Sequence, residues 1–185
     1  GPPPPARGAP PPRAPRHQGG GGVTVATIGA RPAKVVTVSD GVMAGTREDR
    51  SGDALVAVLT AAGFDVVSRS VIPDGVASVA GELARVCAEF AGLVVTTGGT
   101  GFAPRDRTPE GTREVIQRDA PGLAEAMRLV NPLGRLSRAV AGIRGQSIIL
   151  NTPGSPQGAA ECLSAVIDVV GHALDLLADA PTRHP

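Results

Sequence analysis

Residues 93–106 read LVVTTGGTGFAPRD, an apolar strand that breaks off in threonines and glycines and delivers a carboxylate, Asp106, within five residues of its last glycine. Gly98, Gly99 and Gly101 have no Cβ, so main-chain amides there can approach an anion closely and adopt φ values closed to other residues. That is the shape of a phosphate site. A carboxylate cannot itself attract phosphate, so Asp106 beside such a loop points to a bridging cation, and magnesium fits best through its preference for oxygen ligands. Capping of the next helix is the plainer use of the same aspartate.

Outward from that loop the chain alternates between strand and helix patterns. Residues 34–39 (KVVTVS) are the first predicted strand. A helix follows from Ser51, with Leu55, Val58, Leu59 and Ala62 at i, i+3, i+4 and i+7 and Gly63 placed to end it. Residues 64–72 are the second strand, stopped by Pro73; Val79, Leu83, Val86 and Phe90 mark a second helix; Leu93 to Thr97 is the third strand. This βαβαβ unit predicts a parallel sheet with helices on both faces. Beyond the loop, Thr108 is placed as an N-cap with Pro109 at N1 of a helix reaching Val115 and Ile116, and a further helix covers Leu123 to Leu129. Arg138 to Ile143 and Ser147 to Leu150 read as two strands joined around Arg144 and Gly145. A last helix, capped by Ser155 with Pro156 at N1, carries Leu163, Ile167, Val170, Leu174 and Leu177 on its buried stripe. The expected fold is a single three-layer α/β/α domain over residues 31–181 around a mostly parallel sheet, with tails at 1–30 and 182–185.

The first 22 residues hold 8 of the 18 prolines, 6 of the 25 glycines, three arginines and no acid, a composition that predicts disorder. The opening glycine suggests a processed end. Subtracting that tail's +3 from the overall formal +1 leaves a domain of about −2, so charge points to neither nucleic acid nor membrane as a partner. With 2% aromatic residues and no Trp or Tyr, stacking platforms for bases are not expected. No stretch reaches the length of a membrane span and no signal-peptide pattern is seen. Cys87 and Cys162 fall in predicted helices, which suits reduced thiols in a cytoplasmic protein better than a disulfide.

In open α/β sheets ligands bind beyond the carboxyl ends of the strands. Here those ends run into Ser39, Asp40 and Gly41; into Pro73, Asp74 and Gly75; into Thr97, Gly98, Gly99, Thr100 and Gly101; and into Asn151, Thr152, Pro153, Gly154 and Ser155. Singly, Asp-Gly is an ordinary turn and Pro-Gly-Ser-Pro ordinary capping. Their coincidence at one sheet edge is the argument for a site. Exclusions narrow its chemistry. Lys34, the only lysine, precedes the first strand, so there is no Walker loop, and Gly41, Gly45 and Gly52 have the wrong spacing for a dinucleotide fingerprint. His17 and His184 lie in the tails and His172 in a helix, which leaves no histidine for a Ser/His/Asp triad or a zinc site. Carboxylates, amides, hydroxyls and arginines remain, the parts needed for metal-assisted phosphoryl or nucleotidyl transfer.

TVSDG at 37–41, IPDG at 72–75, TTGGTG at 96–101 with Arg105-Asp106, TPEGT at 108–112, PGLAEAMR at 121–128, SRAVAGIRG at 137–145 and NTPGSP at 151–156 follow one another along the chain. Together they resemble the Mog/MoaB-type molybdenum cofactor biosynthesis proteins, among them bacterial molybdopterin adenylyltransferase and the G domains of gephyrin-like proteins. The resemblance implies an α/β protein that forms a homotrimer, or a hexamer of paired trimers, binds molybdopterin and Mg-ATP, makes adenylyl-molybdopterin and releases pyrophosphate, with the molybdenum-insertion enzyme as a partner. Its important acids fall on Asp74 and Asp106, expected to be catalytic and to hold Mg2+. Ser39, Asp40, Thr97, Gly98, Gly99, Thr100, Gly101, Ser137, Arg138, Asn151, Pro153, Gly154 and Ser155 are the expected phosphate and pterin contacts. The chain departs from the family at Gly41, where members often carry Arg, and at Gln157, where they often carry Lys. A non-catalytic molybdopterin-binding or regulatory partner of the same fold is the alternative.

Overall fold

The computed structural model describes residues 1–2 and 30–179, so the N-terminal tail expected to be disordered falls almost wholly, and the C-terminal tail wholly, outside the described residues. Six strands, β1 (Arg31–Val38), β2 (Phe64–Ile72), β3 (Gly92–Thr97), β4 (Arg118–Asp119), β5 (Ala141–Arg144) and β6 (Ser147–Thr152), make one sheet in the order β2-β1-β3-β6-β5-β4. The pairs among β2, β1, β3 and β6 are parallel, whereas β5 is antiparallel to both β6 and β4. Around the sheet stand α1 (Asp40–Met43), α2 (Arg50–Ala61), α3 (Val76–Cys87), α4 (Thr108–Arg113), α5 (Pro121–Leu129), α6 (Pro156–Ser164) and α7 (Ile167–Leu177), with a 3-10 turn at Pro132–Leu136.

Alternation along the strands builds two cores. Val35, Val95 and Leu150 sit side by side in register, and with Ala33, Leu93 and Ile148 they meet Leu55 and Leu59 of α2, Met127 of α5, Leu163 of α6 and Val170 of α7. Their neighbours Val36, Val94 and Ile149 point the other way, onto Val79, Leu83 and Val86 of α3 and onto Val115. Strands covered on both faces need apolar residues at successive positions, which is why β3 is buried throughout. The connection leaving β1 runs through α2 to β2 on one side, and α3 carries the chain back across β1 to β3 on the other. The lateral order in which strands are added thus reverses at β1, with β2 on one side of it and β3 on the other, and in a parallel sheet such a switch opens a crevice at the carboxyl ends.

Several expectations need correction. β1 begins at Arg31 rather than Lys34, and Ser39 lies past its end as the N-cap of α1, too short a helix to leave a periodic signal. The predicted last helix is two: Val166, buried and at φ −130°, interrupts it between α6 and α7. The helix after the glycine loop ends at Arg113, short of Val115 and Ile116, and its N-cap is Arg107. Thr108 is instead the first helical residue, because its hydroxyl is engaged with Gly98.

Candidate active site

The crevice is shaped by ties between loops. The Asp40 N–H donates to Asp74 Oδ2 at 3.1 Å while the Asp74 N–H donates to Asp40 Oδ1 at 3.0 Å, a reciprocal clasp that joins the ends of β1 and β2. At β3, Gly98 and Gly99 take φ of +98° and +65°, where side chains are strained. A Cβ on Gly98 would lie 2.3 Å from the Val38 carbonyl oxygen; one on Gly99 would lie 2.3 Å from Thr108 Oγ1 and 3.4 Å from Asp74 Oδ1. Both glycines are therefore required by space as well as by backbone conformation.

Behind the loop, Thr108 donates its hydroxyl to Gly98 O at 2.8 Å and its N–H to Gly99 O at 3.0 Å. Thr97 Oγ1 donates to Pro153 O at 2.8 Å and Gly98 N–H to Thr152 O at 3.1 Å, which couples the ends of β3 and β6. The carbonyls are thus used in packing, whereas the N–H groups of Gly99, Thr100 and Gly101 find no protein acceptor among the described residues. Such amides suit an anion. Asp106 Oδ2 accepts the Ala103 N–H at 2.9 Å, closing the turn that follows, so Asp106 does not cap α4.

Two hollows open on this edge. One of about 390 Å3 is lined by Ser39, Asp74, Thr97, Gly98 and the arginines Arg47, Arg50 and Arg105. The other, of about 640 Å3, has Thr100, Gly101, Ser137, Asn151, Pro153 and Ser155 on one side and Met127, Leu133, Leu136 and Ala139 among its apolar walls. Gly99, Asp106, Gly154 and Pro156 border both. A Cβ on Gly154 would lie 3.3 Å from Gly98 Cα, so the main chains of the two loops pack closely beside this shared border.

Not every expected contact faces these hollows. Asp40 borders neither, and its carboxylate is engaged in holding Asp74. Arg138 also borders neither. Its Nε donates to Gly101 O at 2.8 Å, its Nη2 to Asp106 O, and it pairs with Glu110, so it clamps the loop from outside rather than reaching a phosphate. That ion pair holds the Glu110 carboxyl below its ordinary value. Asn151 borders the larger hollow, but its side-chain amide donates to Thr96 Oγ1 and Thr112 Oγ1, each at 3.0 Å, while its Oδ1 accepts the Val140 N–H. Ser39 and Ser155 serve as N-caps, accepting from Val42 and Gly158 at 3.2 Å.

The sequence reading missed Arg47, Arg50 and Arg105 in the smaller hollow, and Met127, Asn131 and Leu133 in the larger. Met127 sits on α5, Asn131 and Leu133 cap and enter the 3-10 turn, Arg47 is in the loop after α1 and Arg50 opens α2, all away from the strand ends. Arg105 lies in the loop after β3, beside Asp106. Cys162 also borders the larger hollow, and burial, reinforced by the neighbouring Glu161 charge, raises its thiol so that it stays protonated.

Residues 34–172 match the family described as "Probable molybdopterin binding domain". The chain belongs to the Mog/MoaB family of molybdenum cofactor biosynthesis proteins. Within that family it is 39% identical over 150 residues to the molybdopterin adenylyltransferase of Helicobacter pylori strain J99, covering 77% of this chain and 85% of the relative. The Escherichia coli K12 molybdopterin adenylyltransferase is 40% identical over 146 residues, covering 75% and 74%. The solved structure of the molybdopterin biosynthesis enzyme MoaB from Thermus thermophilus superposes with a TM-score of 0.76 at 44% identity, covering 83% of this chain and 99% of that one.

Proposed function

We propose that this Mog/MoaB chain is a molybdopterin adenylyltransferase, which moves AMP from ATP to the terminal phosphate of molybdopterin and releases pyrophosphate. The observation that carries this reading is the seam: two adjoining hollows that share Asp106 and Gly99, with the free amides of Thr100 and Gly101 bordering the larger. Three arginines and the acids Glu48, Asp74 and Asp106 line the smaller hollow, where arginines can meet polyphosphate directly and carboxylates through a cation, and the apolar walls of the larger suit a flat heterocycle.

The nucleophile needs little activation. A phosphate monoester loses its second proton near a pKa of about 6, so at neutral pH the molybdopterin phosphate is largely a dianion. One of its oxygens forms a bond to the α-phosphorus, the α–β bridging P–O bond breaks, and its electron pair leaves with pyrophosphate; no proton need move. The difficulty is bringing two anions together, which positioning and preorganised charge must overcome. The glycine-loop amides supply donors without reorganisation. Asp74 and Asp106 fit magnesium by their chemistry. Each gives one oxygen to a main-chain N–H and keeps a second that no protein group hydrogen-bonds among the described residues. No group of three or more His, Cys, Asp or Glu that could hold a metal occurs among the described residues, so a magnesium ion there would need water and phosphate oxygens for its remaining ligands. When bound, such an ion offsets the polyphosphate charge.

The finer context follows the resemblance: a homotrimer or a pair of trimers, in the cytoplasm, handing its product to the molybdenum-insertion enzyme. Exposed Leu129, Leu133 and Leu136 support self-association, and reduced Cys87 and Cys162 support a reducing compartment. Among the described residues no helix is long and apolar enough to cross a membrane. The deciding experiment measures pyrophosphate release from ATP with and without molybdopterin. Release that requires molybdopterin is expected; binding of molybdopterin without release would leave a non-catalytic partner protein instead.

A further inference from the structure

The geometry points to Arg47 as a polyphosphate-binding residue, one that holds the pyrophosphate portion of ATP as it leaves. This rests on the adenylyl-transfer reading for the leaving step, but not for the contact itself. Arg47 borders the smaller hollow together with Asp74, Asp106, Gly98 and Gly99. Its main chain is fixed: the N–H groups of Thr46 and Arg47 and the Thr46 hydroxyl all donate to the Gly41 carbonyl, at 2.9, 3.1 and 2.9 Å. Its stem, though exposed, lies across Gly41, where a Cβ would come 3.0 Å from Arg47 Cδ and 3.4 Å from Cγ. The absence of a side chain at 41 gives the arginine its berth.

The guanidinium is also uncommitted. Arg31, Arg50, Arg69, Arg85 and Arg138 each pair with a carboxylate, whereas among the described residues no carboxylate lies within ion-pairing distance of Arg47. The loop beyond it is buttressed by Asp49, which accepts from Thr37 Oγ1 at 3.0 Å, Gly52 N–H at 3.0 Å and Arg69 at 2.9 Å. A cation held in place by its backbone, with a planar fork and no carboxylate partner among the described residues, bordering the same hollow as Arg50 and Arg105, is arranged for phosphate oxygens. As the α–β bond breaks, charge grows on the departing pyrophosphate, and a guanidinium so placed stabilises it there.

Calorimetric titration with Mg-pyrophosphate, together with steady-state kinetics, tests this on the full chain. Arg47→Ala is expected to weaken pyrophosphate binding and lower kcat/KM for ATP by about tenfold or more, leaving KM for molybdopterin unchanged. Arg47→Lys should recover part of the loss. Gly41→Ala should weaken pyrophosphate binding in the wild type and add nothing in the Arg47→Ala background, since both act through one side chain. Arg47→Ala within about twofold of wild type in both measurements overturns the inference. If the wild type releases no pyrophosphate from ATP yet binds it through Arg47, the adenylyl-transfer reading fails and the phosphate contact stands.

Discussion

Replacing Arg138 by alanine separates two roles for a conspicuous arginine. In the structure it grips the carbonyls of Gly101 and Asp106 and pairs with Glu110. Hydrogen bonds to charged groups contribute about 1.5–3 kcal/mol when shielded and exposed ion pairs about 0–1 kcal/mol. With 33% of the Arg138 side chain exposed, the three contacts together should be worth about 2–3 kcal/mol. For a domain of this size that lowers Tm by about 4–12 °C in the absence of any ligand. The loop carrying Asp106 would also loosen, and a displacement of about 1 Å near the chemistry costs on the order of 10²-fold in rate, so kcat should fall about 10- to 100-fold. The Glu110 partner adds a pH signature. Its carboxyl titrates below the ordinary 4.5, so the stability it supplies is whole above pH 4.5 and lost as pH falls through its lower folded value. The wild-type advantage over Arg138→Ala should shrink only in that acid range. Thermal melts across pH and saturating-substrate kinetics measure all of this. A variant that melts like wild type but shows a raised KM for either substrate would refute the clamp and restore a phosphate-binding role.

Other perturbations probe the seam. Asp106→Asn keeps an oxygen for the Ala103 N–H while removing the charge, so kcat should drop on the order of 10²-fold with melting unchanged; full activity at saturating magnesium would remove Asp106 from the chemistry. Gly99→Ala should cost about 2 kcal/mol or more through its positive φ and its approach to Thr108, whereas Gly122→Ala, with open space around it in α5, should be neutral or slightly stabilising; urea titration compares them. Cys162 should alkylate slowly at neutral pH and more slowly still with molybdopterin bound, because its raised thiol lines the larger hollow; rapid labelling that ignores molybdopterin would count against placing the heterocycle there.

Strand identity and the site edge were legible because both depend on short-range chemistry. Runs such as Leu93–Thr97 and Ser147–Leu150 can be buried on both faces only as central strands, and the glycines after them announce a close approach of main chain. What escaped depends on tertiary choice. Whether Arg138 meets a substrate or the carbonyl of Gly101 is settled by where β5 docks, which no local pattern states. Asn151 looks like a ligand-facing polar residue in the sequence, yet its side-chain partners are Thr96 and Thr112, distant in the chain. The walls of the larger hollow come from α5 and the 3-10 turn, whose apolar residues are indistinguishable by composition from ordinary core or surface ones.

The mutual bonds between Asp40 and Asp74 make the termini of two neighbouring strands a single mechanical unit. A segment that lacks its aspartate cannot be installed in one loop alone, for it would leave a backbone donor stranded on the other side. Engineering of nucleotide preference in this scaffold must therefore keep both aspartates or exchange residues 39–41 and 73–75 as a matched pair.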